Sequence, residues 1–237
     1  MKTIPQNLRN ALALLLLMAA SPALHADTST SPDSGLVLQY TISNGEATVT
    51  GGTLPSDGIL TIPETLGGAP VVAIGDYAFP RNFDLKKLTA ASVTRVGRYA
   101  FLICDAMTEI SLPKVICIEE NAFTRCQELL AISLPEATFI GLDAFFDCIS
   151  LARVSLPKVT CISDQAFGKC PIDKLLIPKA ATIGDYAFIA TGNVTLSTLS
   201  LPGTLSLGKN AFREFTKLES VYLPKVKSIE EGAFEYC

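Results

Sequence analysis

Apolar positions along the chain return in locked columns and not in one continuous helical or strand period. The dipeptide Ala-Phe recurs with its phenylalanine at 79, 101, 123, 145, 167, 188, 212 and 234, spacings of 22, 22, 22, 22, 21, 24 and 22 residues. Ten residues ahead of six of these stands a proline after Leu or Ile, at Pro113, Pro135, Pro157, Pro178, Pro202 and Pro224. Five residues ahead stands an aliphatic residue, at Ile118, Ile140, Ile162, Ile183, Leu207 and Ile229. Such a period marks a solenoid, in which each unit is one turn of a coil and no unit closes its own core.

One unit reads roughly L-x-x-I-x-L-P-x-V-x-x-I-G-x-x-A-F-x-x-C, as over residues 151–171 (LARVSLPKVTCISDQAFGKCP). The L-x-x-I-x-L part, for example residues 107–112 (MTEISL), predicts a short half-buried strand, which the proline ends by removing a ladder donor. A second extended piece turns Val115 and Ile118 inward, and residues 121–126 (NAFTRC) read as a short helical turn that packs Phe123 into the core. Coils stacked at about 4.8 Å per rung extend over roughly 38 Å for eight of them. The 24-residue spacing puts extra residues near 191–195 (TGNVT), expected to bulge outward as a loop.

With these columns established, the chain closely resembles the BspA-like, or Treponema pallidum-type, leucine-rich repeat family. The resemblance rests on I-P/L-P, V-x-x-I-G and A-F-x-x-C and on the opening segment 62–79 (IPETLGGAPVVAIGDYAF), and it covers about residues 59–237. The departures are Ala91 in place of the proline in one unit, and Thr191 and Phe215 in place of the cysteine in two. It implies an α/β-type leucine-rich repeat solenoid of about eight coils of 22 residues, with short parallel strands and short helical turns, preceded by a strand-rich N-terminal cap over residues 36–58. It also implies a bacterial surface or secreted protein that adheres to host matrix proteins or to neighbouring cells. The sequence stops at Cys237 ahead of the next strand and without a polar cap, so it is expected to end mid-array; end-to-end association through the open C-terminal coil is the alternative.

The N-terminus departs from the repeat. Lys2 and Arg9 precede the apolar run 11–20 (ALALLLLMAA) and the small residues of 21–26 (SPALHA), which reads as a signal peptide over residues 1–26 cleaved after Ala26, or alternatively after Ala23. A run of this length is too short to span a bilayer, so no membrane span is expected and the protein is exported to the cell surface or secreted. Residues 27–35, rich in Ser, Thr and Asp, read as a polar linker.

Charge and composition narrow the chemistry. With 49% hydrophobic residues, a net charge of −4 and a pI near 5.1, the chain is globular and a poor phosphate-backbone binder, so nucleic acid is not an expected partner. The sole histidine, His25, falls within the cleaved segment, so the exported chain lacks the usual general base near neutral pH. Of seven cysteines, Cys104, Cys126, Cys148, Cys170 and Cys237 fall three residues after the repeat phenylalanine. That column faces the core and reads as buried free thiols in preference to bridges, because side chains in a ladder point in parallel. Cys117 and Cys161 share a second column with Phe139 between them, too far apart to bridge. No C-x-x-C or histidine accompanies the thiols, and no metal or cofactor is expected.

Three further patterns have plain structural readings. Residues 203–210 (GTLSLGKN) match G-x-x-x-x-G-K but lack the final Ser or Thr, and Gly208 and Asn210 fall in repeat columns, so the match is accidental. Asp164 and Asp185 share a column on neighbouring rungs, within the carboxylate separation of a retaining glycosidase, but no aromatic-lined insertion forms a sugar cleft, and they read as stacked surface carboxylates. Glu136 between Lys114 and Lys158 reads as a modest ion-pair ladder. The sequon Asn193-Val194-Thr195 matters only in a host that glycosylates.

The expected binding surface is the solvent side of the L-x-x-I-x-L strands, which presents Lys87, Glu109, Ser111, Arg153, Ser155, Lys174, Leu176, Glu219 and Tyr222. Arg153 and Tyr222 are its residues of hot-spot type. The functional expectation is an exported non-catalytic protein-binding module that recognises an extracellular matrix or cell-surface protein. A structural spacer joining subunits or domains is the rival, and a hydrolase ranks third.

Overall fold

The computed structural model describes residues 27–31, 35–191 and 194–237; the segment 1–26, expected to be a signal peptide, and Asn193 of the sequon lie outside them. The N-terminal cap is an antiparallel ribbon of Asp27–Ser31 (β1), Leu36–Ser43 (β2) and Glu46–Thr53 (β3). Residues 27–31, expected within a linker, instead pair with β2 from Asp27↔Tyr40 to Ser31↔Leu36. A ladder is made by backbone groups, and Thr tolerates the extended conformation, so a polar segment serves as an edge strand. Strand β3 then runs parallel to Ala69–Ile74 (β6), which joins the cap to the solenoid; Thr65–Leu66 (β5) folds back antiparallel on β6.

Each coil contributes two strands to two faces. The L-x-x-I-x-L strands are Ile59–Ile62 (β4), Lys87–Ala90 (β7), Glu109–Ser111 (β9), Ala131–Ser133 (β11), Arg153–Ser155 (β13), Lys174–Leu176 (β15), Thr198–Ser200 (β17) and Ser220–Tyr222 (β19). The V-x-x-I pieces form two-residue strands Arg95–Val96 (β8), Cys117–Ile118 (β10), Phe139–Ile140 (β12), Cys161–Ile162 (β14), Thr182–Ile183 (β16), Ser206–Leu207 (β18) and Ser228–Ile229 (β20). All pairs between successive coils are parallel and in repeat register. The continuous sheet is the second one, which runs unbroken from β1 through β20, whereas the L-x-x-I-x-L face divides into β4-β7-β9, β11-β13-β15 and β17-β19. The break between β15 and β17 coincides with the long coil. There Val194 and Leu196 are both buried, and the outward loop expected near 191–195 includes residues 192 and 193, which lie outside the described residues.

The third side of the coil is built from turns, not helix. Among the described residues no helical segment occurs. Residues two before and two after the core phenylalanine take left-handed backbone angles, as at Asn121 (φ 55°) and Arg125 (φ 61°), and at Asp143 and Asp147 in the next coil. Their N–H groups, with that of Phe123 between them, donate to the following coil at Leu142, Ala144 and Phe146, at 2.8–2.9 Å. Bonds that an α-helix would close within the segment are therefore spent between coils, and a left-handed residue on each side of the phenylalanine cannot propagate a right-handed helix. The short helical turns expected from A-F-x-x-C are corrected to turns for this reason; the three-residue spacing from Phe to Cys suits either.

The phenylalanine column forms the spine of the core. From Phe79 to Phe234 successive rings stack with centroids 5.0–5.9 Å apart and planes within 12° of parallel. Phe79 through Phe212 are fully buried, each contributing about 2–3 kcal/mol by removal from water. Around the spine pack the aliphatic columns and the cysteines.

Candidate functional site

Alternation along β13 decides what its face presents. Val154 is buried while Arg153 and Ser155 lie on the solvent side. The parallel register sets Arg153 opposite Lys174 and Ser155 opposite Leu176 on β15. Between these strands lies a shallow groove of about 280 Å³ lined by Arg153, Ser155, Lys174 and Leu176 over Ile132, Val154 and Leu175. Leu176 is 53% exposed, and Leu130, just before β11, is 51% exposed.

The nine expected face residues fall into three patches. Lys87, Glu109 and Ser111 sit on β7 and β9, where Lys87 Nζ and Glu109 Oε1 form an ion pair at 2.8 Å. Arg153, Ser155, Lys174 and Leu176 share the groove. Glu219 and Tyr222 lie on and beside β19, with Tyr222 59% exposed, on a strand pair separate from the groove. The strand ladder of this face is interrupted between β9 and β11 and between β15 and β17.

A second groove, of about 360 Å³, lies on the outer side of the continuous sheet, a face passed over in the sequence. It is lined by Arg98, Cys117, Glu119, Glu120, Phe139, Gly141, Leu142 and Ser163. Its one signal in the sequence is the run Cys117, Phe139, Cys161 in a column that elsewhere holds Arg95, Thr182 and Ser206. Its charges are satisfied internally. Arg95 Nη1 meets Glu119 Oε1 at 2.8 Å, Arg98 reaches Glu119 and Glu120 at 3.8 and 3.9 Å, and the Tyr99 hydroxyl donates to Glu120 at 2.9 Å. That hydrogen bond, with burial and the Glu120 charge, raises the Tyr99 pKa. Burial first, then Glu120 and Asp164, raises that of Asp143.

The cysteine column is structural. Cys104, Cys126, Cys148 and Cys170 are buried and unbridged, and each thiol donates to the carbonyl of the preceding coil's phenylalanine at 3.2–3.4 Å. Burial pushes Cys104 up to about 12 and Cys126 and Cys170 well above the usual thiol range, which keeps them protonated and unreactive. Among the described residues no three His, Cys, Asp or Glu side chains gather as a metal site.

The carboxylate column has a backbone role. Asp164 Oδ1 accepts the N–H of Asp185 at 2.8 Å, Asp185 Oδ1 accepts that of Lys209 at 2.7 Å, and Asp76 does the same for Arg98 at 3.0 Å. Each aspartate thus pins the turn of the following coil. The G-x-x-x-x-G-K match is a packing feature, because a Cβ on Gly208 would come within 2.5 Å of Gly184 backbone, and no helix follows to receive a phosphate. Glu136 pairs with Lys158 at 2.7 Å; no ion pair joins it to Lys114 among the described residues.

Among the described residues no helix is long and apolar enough to cross a membrane. Comparison with known proteins found no match among curated proteins. Of solved structures, the chain is similar to the leucine rich repeat protein of T. pallidum, at TM-score 0.56 and 22% identity over 88% of this chain and 85% of that one. It is similar also to the pneumococcal vaccine antigen PcpA, at TM-score 0.51 and 18% identity over 88% and 72%. A leucine rich cell surface protein of Faecalibacterium prausnitzii A2-165 matches at TM-score 0.49 and 19% identity over 92% and 81%. At these identities the likeness to the first two is one of fold. The profile of the BspA type leucine rich repeat region matches six copies across residues 72–195 and 117–237, and the chain therefore belongs to the BspA-type leucine-rich repeat family.

Proposed function

We propose that the chain is an exported, non-catalytic protein-binding module of adhesin type, which recognises a host or neighbouring-cell protein through the L-x-x-I-x-L strand face. The carrying observation is the groove over β13 and β15, where exposed Arg153, Lys174 and Leu176 surround an apolar floor. An apolar centre with an arginine and a polar rim is the composition of protein interfaces, and a stacked solenoid presents it on a rigid frame. Repeat membership supports protein binding as the general role. The N-terminal pattern of Lys2, Arg9, the apolar run and Ala26 supports export.

The test is surface binding of residues 27–237 to immobilised fibronectin, fibrinogen, laminin and mucin at physiological salt, beside Arg153→Ala and Tyr222→Ala. Saturable binding that weakens in these variants is expected. Binding unchanged in both would place recognition elsewhere, and a concentration-dependent mass without ligand binding would favour an assembly role.

A further inference from the structure

The column that contains Arg153 changes character along the array. At β7 and β9 it holds Lys87 opposite Glu109, opposite charges joined at 2.8 Å. At β13 and β15 it holds Arg153 opposite Lys174, two cations in register on strands about 4.8 Å apart. Neither has an ion pair among the described residues. The flanking members of the column, Ala131 and Thr198, carry no charge. The neighbouring carboxylate, Asp173, forms no ion pair with either cation, and its Oδ1 is buried without a hydrogen-bond partner. Like charges opposite one another on adjacent strands disfavour the empty face, and an anion placed between them reverses the sign of that interaction.

We propose that Arg153 and Lys174 receive an acidic peptide segment, one Asp or Glu carboxylate bridging the two cations while an adjacent aliphatic side chain rests on Leu176. The proposal builds on the strand-face reading above and names its partner chemistry. An Arg fork suits a planar carboxylate bidentately, and the Lys ammonium adds a second charge-assisted donor. Ser155, opposite Leu176, supplies a hydroxyl at the groove's edge. A peptide fits better than a sulfated glycan because the floor is Ile132, Val154 and Leu175, and a densely sulfated chain calls for a run of cations where this groove has two, Arg153 and Lys174. The second groove offers no such site, since the arginine that lines it, Arg98, lies against Glu119 and Glu120.

Fluorescence anisotropy with the mature chain and a fluorescein-labelled peptide of alternating Glu and Leu tests this, with the Gln-for-Glu peptide and labelled low-molecular-weight heparin as comparisons. The Glu peptide is expected to bind, to weaken as salt rises, and to lose about tenfold or more in affinity in Arg153→Ser and in Lys174→Ser. Lys158→Ser, whose lysine pairs with Glu136 outside the groove, leaves affinity unchanged. No binding of the Glu peptide, equal binding of the Gln peptide, or unaltered affinity in both groove variants overturns the proposal. Capture of heparin but not peptide, lost in the same variants, overturns it in favour of a sulfated glycan. If the peptide fails while the matrix-protein panel still binds and still responds to Tyr222→Ala, the strand-face reading stands and the acidic-peptide inference alone falls.

Discussion

The thiol of Cys148 donates a hydrogen bond to the backbone carbonyl of Phe123, one coil earlier, at 3.2 Å. Cys126 closes its own turn by donating its N–H to the same carbonyl, also at 3.2 Å. A cysteine at this position therefore fills core volume and ties two coils together. In native protein a maleimide is expected to label Cys117, Cys161 and Cys237 and to spare Cys104, Cys126, Cys148 and Cys170 until denaturant is added. Rapid native labelling of the four column thiols, read by mass spectrometry, would contradict this packing.

Thiol burial also fixes a pH dependence. Burial disfavours the Cys104 thiolate and pushes its pKa from the ordinary thiol value of 9.0 up to about 12 in the folded chain. Between those values the unfolded chain binds fewer protons than the native one, so stability falls as pH rises. This one group contributes a slope of up to about 1.4 kcal/mol per pH unit across that window. Urea unfolding of wild type and Cys104→Ala from neutral to alkaline pH should show a shallower decline in the variant.

The phenylalanine spine predicts a steep local cost. Phe145 lies between Phe123 and Phe167 at 5.2 Å from each, fully buried. Phe145→Ala should cost about 3–5 kcal/mol, and Phe145→Leu distinctly less. Denaturant unfolding followed by circular dichroism measures both.

The left-handed turns predict an unusual sign for glycine. Gln165 has φ 54° and donates its N–H to Asp185 of the next coil at 2.8 Å. Gln165→Gly should stabilise by about 0.5–1 kcal/mol, and Gln165→Val should destabilise by about 1–2 kcal/mol. A helical turn at this place would give the opposite result for glycine, so thermal unfolding of the pair separates the two geometries.

The carboxylate column predicts a stability effect. Asp164→Asn keeps an acceptor for the Asp185 N–H and should be nearly neutral, whereas Asp164→Ala should cost about 0.5–1 kcal/mol. Differential scanning calorimetry reads both.

Much of this architecture is legible because a coil leaves one residue of each kind in each column. The Phe, Ile and Pro columns give coil number, strand positions and core identity directly. Other features are hidden by their chemistry. The turn around Asn121 and Arg125 satisfies the same Phe-to-Cys spacing as a helix, and only the destination of its N–H groups distinguishes them. The continuous sheet is built from two-residue strands such as Cys117–Ile118, too short for alternation to show. Strand β1 is polar throughout, so no apolar pattern announces it. At the site, alternation placed Arg153 and Leu176 on the solvent side, but the breaks in the ladder between β9 and β11 and between β15 and β17 carry no mark in the alternation of those strands. The groove at Phe139 needs three coils in register to exist, and no single unit encodes it.

The central claim is that recognition uses the L-x-x-I-x-L face and not the continuous sheet, and charge reversal on each face tests it most directly. Affinity for a matrix protein captured in the surface-binding panel would be measured for Arg153→Glu, on β13, and for Arg98→Glu, in the second groove. The account predicts that Arg153→Glu abolishes binding while Arg98→Glu leaves it near wild type. Loss in Arg98→Glu with Arg153→Glu unaffected would move the binding surface to the opposite sheet and contradict the account.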